Sequence, residues 1–501
     1  MNGNLYALIE ASVAGRVDAC ALETDDGETI SYRALHDQAG RYARFLLGRG
    51  LARGDRVAVQ AEKSAQSLCL YLGCLRAGLV YLPLNTAYQR GELEYFLRDA
   101  EPRVVVCGPG SSPLFQELAG DSGAEVWTLD ESGTGSLAEA AVGLPADFET
   151  AAMRADELAV IVYTSGTTGR SKGAMVTHGN LTSNVRALIE TWGFSERDVL
   201  LHTLPIFHVH GLFVANHCAL VAGARLLWHR RFDARAVLQA FPRATVFMGV
   251  PTYYTRLLAN ADFGRGQSRG VRLFVSGSAP LLTETFREFE SRTGQRILER
   301  YGMSEAGMIA SNPLHGERRA GTVGMPLPGV SVRIADGEDR ALPAGEIGGI
   351  QVKGENVFAG YWRMPEKTSE EFTADGWFRT GDLGSFDADG YLSIVGRAKD
   401  LIISGGYNVY PKEIELAIDE LPAVAESAVF GVPHADFGEA VAAAVVVQGG
   451  ASLDAAAIIE TLKTQLANYK VPKQVFVVDA LPRNAMGKVQ KAVLRDRYSA
   501  S

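Results

Sequence analysis

Residues 158–173 read LAVIVYTSGTTGRSKG, six apolar residues followed without a break by glycines, hydroxyls and a lysine. A continuous apolar run of this kind marks a strand covered on both faces, as in parallel sheets flanked by helices. The segment after it must turn. Gly166, Gly169 and Gly173 allow the sharp bends that bring backbone N–H groups close to an anion. Thr164, Ser165, Thr167, Thr168 and Lys172 add further donors, so the segment reads as a phosphate cradle. It is not a GxxxxGK[ST] loop, because Ser171 precedes the lysine and Gly173 follows it. A flexible linker has no reason to carry this ordered set of donors directly after a buried strand.

The same alternation recurs along the chain. RVAVQAE (56–62), LVYLPLN (79–85) and PRVVVCG (102–108) read as strands, with a helix over 64–78. ATVFMGV (244–250) leads into a helix at Pro251, and VRLFVSG (271–277) into the helical TETFREFESRTG. The pattern predicts an α/β chain with mostly parallel βαβ sheets. After Gly302 the periodicity changes, and VSVRIAD and EIGGIQVKG, set between Gly and Pro turns, predict a small β-rich, antiparallel region. GRAKDLIISGGYNVYPKEIE (396–415) opens a compact α/β tail of about one small domain. A chain of 501 residues exceeds what one core usually supports, so several domains are expected.

Composition excludes some functions. A net charge of −9 disfavours a general binder of nucleic acid or anionic membrane. The aliphatic run from Ala440 is too short to span a bilayer, and the first residues carry no secretory signal. Cys20, Cys69, Cys74, Cys107 and Cys218 form no CxxC pair and are an odd number, which suits reduced thiols in a cytoplasmic protein.

Further motifs follow in order: LPLNTAY (82–88), LPIFHVHG (204–211), SGSAP (276–280), YGMSE (301–305), RTGD (379–382), GRAKD (396–400), GGYNVYPKEIE (405–415) and PRNAMGK (482–488). Together with TSGTTGRSKG they resemble the adenylate-forming enzymes, which include the acyl-CoA synthetases, over nearly the whole chain. The resemblance implies a large N-terminal adenylation domain (residues 1–395), a hinge (396–400) and a small mobile C-terminal domain (401–501). It also implies a two-step reaction. A carboxylate attacks the α-phosphate of ATP to give acyl-AMP and pyrophosphate, and a thiol, usually of CoA, then displaces AMP.

On that resemblance the segment Thr164–Gly169 and Lys172 would hold phosphate, and Thr164 and Glu305 would meet Mg²⁺, a cation that prefers oxygen ligands. Ser278, Ala279, Pro280, Glu299, Tyr301, Gly302 and Ser304 would surround the nucleotide, with Tyr301 stacking on adenine. Asp382 would accept both ribose hydroxyls, and Arg397 would reach the ribose or α-phosphate. Read singly, Asp382 is a turn cap and Arg397 a surface cation; the surrounding motif gives them function. Lys488 corresponds to the catalytic lysine that bridges carboxylate and α-phosphate, and acetylation by a protein acetyltransferase would remove its charge. Lys399 and Asp400 correspond to the hinge, while Gly405, Gly406 and Tyr407 would line a CoA tunnel. His208 corresponds to a residue that borders the acyl pocket; His210 reads equally well as a core histidine. Two histidines without a third ligand argue against zinc.

One position departs from the usual pattern. Arg300 precedes YGMSE where most relatives carry glycine against the acyl group. A buried cation needs an anion, and a guanidinium pairs bidentately with carboxylate. ERYGMSE and GVPTYYTRLL (249–258) resemble the malonate-activating branch of the family. The expected substrates are malonate, ATP and CoA, with methylmalonate also entering, because one methyl group changes binding by only ~1–3 kcal/mol. Arg256, Ser276, Gly277 and Met303 are the other candidates near the distal carboxylate. The alternatives are another short-chain acid as substrate, or an Arg300 that pairs with Glu299 or Glu305 and only braces its loop.

Overall fold

The computed structural model describes residues 2–120, 123–164, 171–404, 407–434, 437–449, 454–484 and 487–499. Ser165, Gly166, Thr167, Thr168 and Gly169 of the expected cradle, and Gly405 and Gly406 of the expected tunnel, lie outside them. The chain groups into two compact units, one of residues 1–332 and 352–378, the other of residues 333–351 and 379–501.

The first unit holds two sheets. In the six-stranded sheet the order is Glu125–Thr128, Val104–Cys107, Arg56–Gln60, Val80–Pro83, Leu158–Thr164, Lys172–Thr177. The first five strands are parallel, and the last turns back antiparallel on Leu158–Thr164. The nine-stranded sheet is parallel through its middle, from Leu298–Met303 through Leu273–Ser276, Val246–Gly249, Val199–His202 and Arg225–Trp228 to Cys20–Thr24. Strands are antiparallel at both of its ends. One apolar cluster runs between the layers and includes Val57, Val160, Trp192, Leu200, Trp228 and Val275. The α/β reading and its parallel sheets are borne out.

The small β-rich region is also present, as a four-stranded sheet of Val330–Ala335, Gly348–Gly354, Phe378–Phe386 and Leu392–Arg397. Residues 301–303, which read as a loop, instead end the strand Leu298–Met303, and the ladder shifts register between Tyr301 and Gly302. Gly302 is required there, since a Cβ would stand 2.3 Å from the Gly307 carbonyl oxygen.

In the second unit, Gly438–Val447 lies between Ile402–Ser404, Val424–His434 and Gln474–Val478. Its unbroken apolar sequence follows from cover on both faces. Val441, Ala443 and Val445 pack with Ile414, Ile418, Ile458 and Leu462 of two helices. Ala440, Ala442 and Ala444 pack with Leu494 of a third.

The starts of three central strands are tied together at Asp198. Its carboxylate accepts from Thr245 Oγ1 at 2.8 Å, from Arg272 Nε and Nη2 at 2.8 Å each, and from the Ser195 N–H at 2.9 Å. These residues lie just before Val246–Gly249, Leu273–Ser276 and Val199–His202, so the clamp fixes the register with which the opposite ends of those strands reach the site. Burial raises the Asp198 carboxyl, but the bonds from Arg272, Thr245 and Ser195 outweigh it and leave it below its ordinary value. The clamp's contribution is therefore present above the ordinary carboxylate value near ~4 and is lost as pH falls through the lower folded value. Asp198→Ala should cost about 1.5–3 kcal/mol, because it removes the charged acceptor of Thr245, Ser195 and Arg272 while Arg272 keeps the Trp192 and Gly193 carbonyls. Urea midpoints at pH 7 would show that loss, and the gap between variant and wild type should close below about pH 4.

Candidate active site

The parallel strands deliver their carboxyl ends to one side of each sheet, where loops can meet a ligand. Thr164 ends the strand that introduces the cradle, and Lys172 begins the strand that leaves it. Between them stands Glu305, 7% exposed, whose Oε1 accepts from Thr164 Oγ1 and from Tyr361 OH at 3.3 Å each. Lys172 Nζ lies 4.1 Å from the Tyr361 ring centroid and 3.3 Å from Glu371 Oε1. Burial raises the Glu305 carboxyl, while Lys172 and the two hydroxyls lower it by less. Of the expected phosphate and cation residues, the described ones, Thr164, Lys172 and Glu305, are thus brought together, and Tyr361 and Glu371 join them. Neither was recognised from sequence, although Tyr361 falls in AGYWRMP, a Gly- and aromatic-rich turn that marks a shaped segment.

Among the described residues no cluster of three or more His, Cys, Asp or Glu side chains could cage a metal. A buried carboxylate beside a hydroxyl nevertheless suits Mg²⁺, which keeps several waters and binds through one or two carboxylates plus substrate phosphates. Glu305 and Thr164 would hold that ion, which neutralises phosphate charge when bound. A cleft reaches Ser304 and Glu305 and is lined by Val209, Phe213, Asn356 and Phe358.

A second cluster surrounds Arg300, which is 3% exposed. Its strand pairs with Leu273–Ser276 so that Glu299 lies opposite Ser276, and Arg300 comes beside Gly277. A Cβ on Gly277 would stand 2.4 Å from the Arg300 Cζ, so this glycine makes room for the guanidinium. Arg300 Nε and Nη2 have no hydrogen-bond partner among the described residues, and neither have the Ser276 Oγ and His210 Nε2 nearby. Burial draws the Arg300 value down to about 10, with Tyr254 and Glu299 opposing, so the group stays charged at neutral pH. Burial and the adjacent Arg300 keep His210 neutral. Glu299 does not form the bracing pair considered above, since its Oε1 accepts from the Leu281 N–H at 3.0 Å and Arg300 makes no ion pair among the described residues.

The histidine loop lies against this cluster. His210 Nδ1 is 3.3 Å from Ser278 Oγ, and the His210 N–H donates to His208 Nδ1 at 3.3 Å. Ser278 has φ +71°, a left-handed conformation that a serine rarely adopts outside functional turns. The structure places Ala279, Pro280, Tyr301 and Met303 on the same two chain segments as Ser278 and Arg300. Arg256 is different. On the helix Pro251–Leu258 the buried positions are Tyr254, Leu257 and Leu258, so Arg256 falls on the exposed face.

In the second unit Asp382 and Arg397 are opposite each other on adjacent antiparallel strands, and Arg397 Nε meets Asp382 Oδ1 at 2.7 Å. Lys399 and Asp400 form a single turn, Ala398–Asp400. Lys488 is exposed on a tight turn in which Asn484 Oδ1 accepts its N–H at 3.0 Å and Gly487 adopts φ +74°. Tyr407 is exposed and stacks on Tyr469 with centroids 4.7 Å apart.

Residues 9–362 match the AMP-binding enzyme family model, and residues 413–488 match that of the AMP-binding enzyme C-terminal domain. The chain belongs to the AMP-binding enzymes, the adenylate-forming family that its motifs resemble. It is 54% identical to ATP-bound MatB from Rhodopseudomonas palustris, with a TM-score of 0.98 over 100% of this chain and 99% of that one. It is 36% identical to a malonate–CoA ligase of Arabidopsis thaliana, over 99% of this chain and 89% of the relative. A sulfoacetate–CoA ligase of Cupriavidus necator is 38% identical over 94% of this chain and 93% of its own length.

Tyr361→Phe removes one donor to Glu305 and keeps the ring beside Lys172. A hydrogen bond of ~1 kcal/mol corresponds to about 0.7 in pH. The acid limb of the activity profile should therefore move up by about that amount, as measured by AMP release from pH 5 to 9.

Proposed function

We propose that this chain is a malonyl-CoA synthetase, an AMP-forming acid–thiol ligase that converts malonate, ATP and CoA into malonyl-CoA, AMP and pyrophosphate through malonyl-AMP. The observation that carries the reading is the buried Arg300 guanidinium laid on Gly277 with two N–H edges unpartnered. A monocarboxylate would leave those donors unsatisfied, at a cost of several kcal/mol, whereas a second carboxylate meets them. Ser276 Oγ and His210 Nε2 would complete that binding site. The exposed Arg256 has no part in it.

The chemistry is one of positioning and charge neutralisation, because two anions must approach each other. Lys172 and the cradle would hold the β- and γ-phosphates, Glu305 and Thr164 the cation, and Asp382 and Arg397 the ribose. Lys488 would bridge carboxylate and α-phosphate during adenylation. We further propose the functional division 1–395, 396–400 and 401–501, with Lys399 and Asp400 as the hinge and Gly405, Gly406 and Tyr407 along the CoA path. That division rests on the family resemblance and the GRAKD boundary, and it differs from the two compact units. A cytoplasmic location is consistent with five unbridged cysteines, and among the described residues no helix is long and apolar enough to cross a membrane. Acetylation of Lys488 finds no support in the structure or in these relatives.

The sulfoacetate–CoA ligase relative gives a second reading a concrete basis, since its named acid also carries an anion at the far end. A screen of acid-dependent AMP release across malonate, methylmalonate, succinate, sulfoacetate, acetate and butyrate tests both. Malonate should lead; preference for acetate or butyrate would overturn the reading. Arg300→Met should lower kcat/KM for malonate by about 10²–10³, the loss of one buried charge pair of ~3–4 kcal/mol, with KM for ATP little changed. Malonate binding should weaken as pH rises through about 10, where the guanidinium begins to lose its proton.

A further inference from the structure

Lys63 is a lysine buried to 6% exposure, and among the described residues its ammonium contacts no carboxylate. It follows the strand Arg56–Gln60 of one sheet and reaches the carboxyl ends of two strands of the other. Its Nζ is 2.7 Å from His202 Nδ1, 2.9 Å from the His202 carbonyl and 2.7 Å from the His229 carbonyl. The Trp228 ring centroid lies 4.3 Å away.

The hydrogen positions follow from the acceptors. His202 Nε2 is 3.0 Å from the Gly211 carbonyl oxygen, which can only accept, so Nε2 carries the proton. Burial and the neighbouring Lys63 keep the ring neutral, so Nδ1 offers a lone pair. Lys63 must then donate to all three neighbours, and only the ammonium has three N–H bonds. Burial pushes the Lys63 value well down. Three acceptors and an aromatic face act against that and hold the charge.

The charge is spent on a backbone carbonyl inside the histidine loop. His210–Ala215 is a π-helical turn, a form found mostly at functional sites. It packs so closely on the segment before it that a Cβ on Gly211 would stand 2.0 Å from the Pro205 carbonyl oxygen. The turn begins at His210, beside Ser278, and the Leu212 N–H returns to the His208 carbonyl at 2.9 Å. Holding Gly211 therefore sets where both histidines point.

We infer that Lys63 is a positioning residue for acid activation, acting through His202 on the Gly211 carbonyl to fix the turn that presents His208 and His210 to the acid. A merely structural lysine would tie strand ends together and affect every substrate alike. The device instead loads one loop, so its loss should fall on the acid half of the reaction. The inference rests on the ligase reading of the site, but not on malonate, because it is measured with whichever acid the enzyme turns over fastest.

The test uses the full-length enzyme. Lys63→Met and His202→Phe should each lower kcat/KM for the acid about tenfold or more, with KM for ATP and CoA within about twofold of wild type. His202→Gln, which keeps a donor for Gly211, should recover most of that loss. The Lys63→Met/His202→Phe double variant should fall within about twofold of the worse single one, because both act on one chain. Nitrogen-15 NMR of labelled histidine in the resting wild-type enzyme should show His202 as the Nε2–H tautomer, a readout that does not depend on Lys63→Met folding. Equal effects on all three substrates, multiplying effects in the double variant, or an Nδ1–H His202 would each overturn the inference. Failure of every acid in the screen would overturn the ligase reading instead, and the tautomer would still judge Lys63.

Discussion

Parallel strands all end on the same side, and the chemistry of this chain is organised by that constraint. Thr164, His202, Gly249 and Ser276 each close a strand whose residues are almost wholly buried. Beyond Ser276 the backbone leaves the ladder at Gly277 and bends at Ser278. The register that brings Glu299 opposite Ser276 also brings Arg300 over Gly277. Moving that pairing by one residue would turn the guanidinium to the other face of the sheet. The Asp198 clamp at the far ends of the strands is thus part of the site's precision, although no ligand would touch it.

Lys172, Lys63 and Arg300, three of the buried cations among the described residues of the first unit, are accommodated in different ways. Lys172 faces a ring and a carboxylate that can exchange for phosphate. Lys63 is saturated by two carbonyls and an imidazole, so it has nothing left to give a ligand and acts only on its neighbours. Arg300 keeps two N–H edges without partners. An unsatisfied buried donor is costly, and under the proposed function a second carboxylate would meet it.

Much of this was legible in the chain itself. The apolar run LAVIVY specifies a covered strand by local rules, and the βαβ rhythm fixed the fold class. Lys172, Glu305, Asp382 and Arg300 stood in motifs whose order along the chain is informative. Contacts between distant segments were not legible. Tyr361 and Glu371 lie nearly 200 residues from Lys172, and no periodicity links them. YGM read as loop because glycine and a short motif suggest a turn, yet strand pairing with Gly307–Ser311 overrides that local preference.

The sequence by itself determined which elements form and which side chains are available, because periodicity, glycine placement and charge are local properties of the chain. Only the tertiary structure decided which of two arginines is buried: helix phase leaves Arg256 on the surface, and sheet register covers Arg300. It alone showed that Lys63 and His202, 139 positions apart, are in hydrogen-bond contact. Burial and hydrogen-bond saturation depend on what the rest of the fold brings alongside, and a residue's chain neighbours do not carry that information.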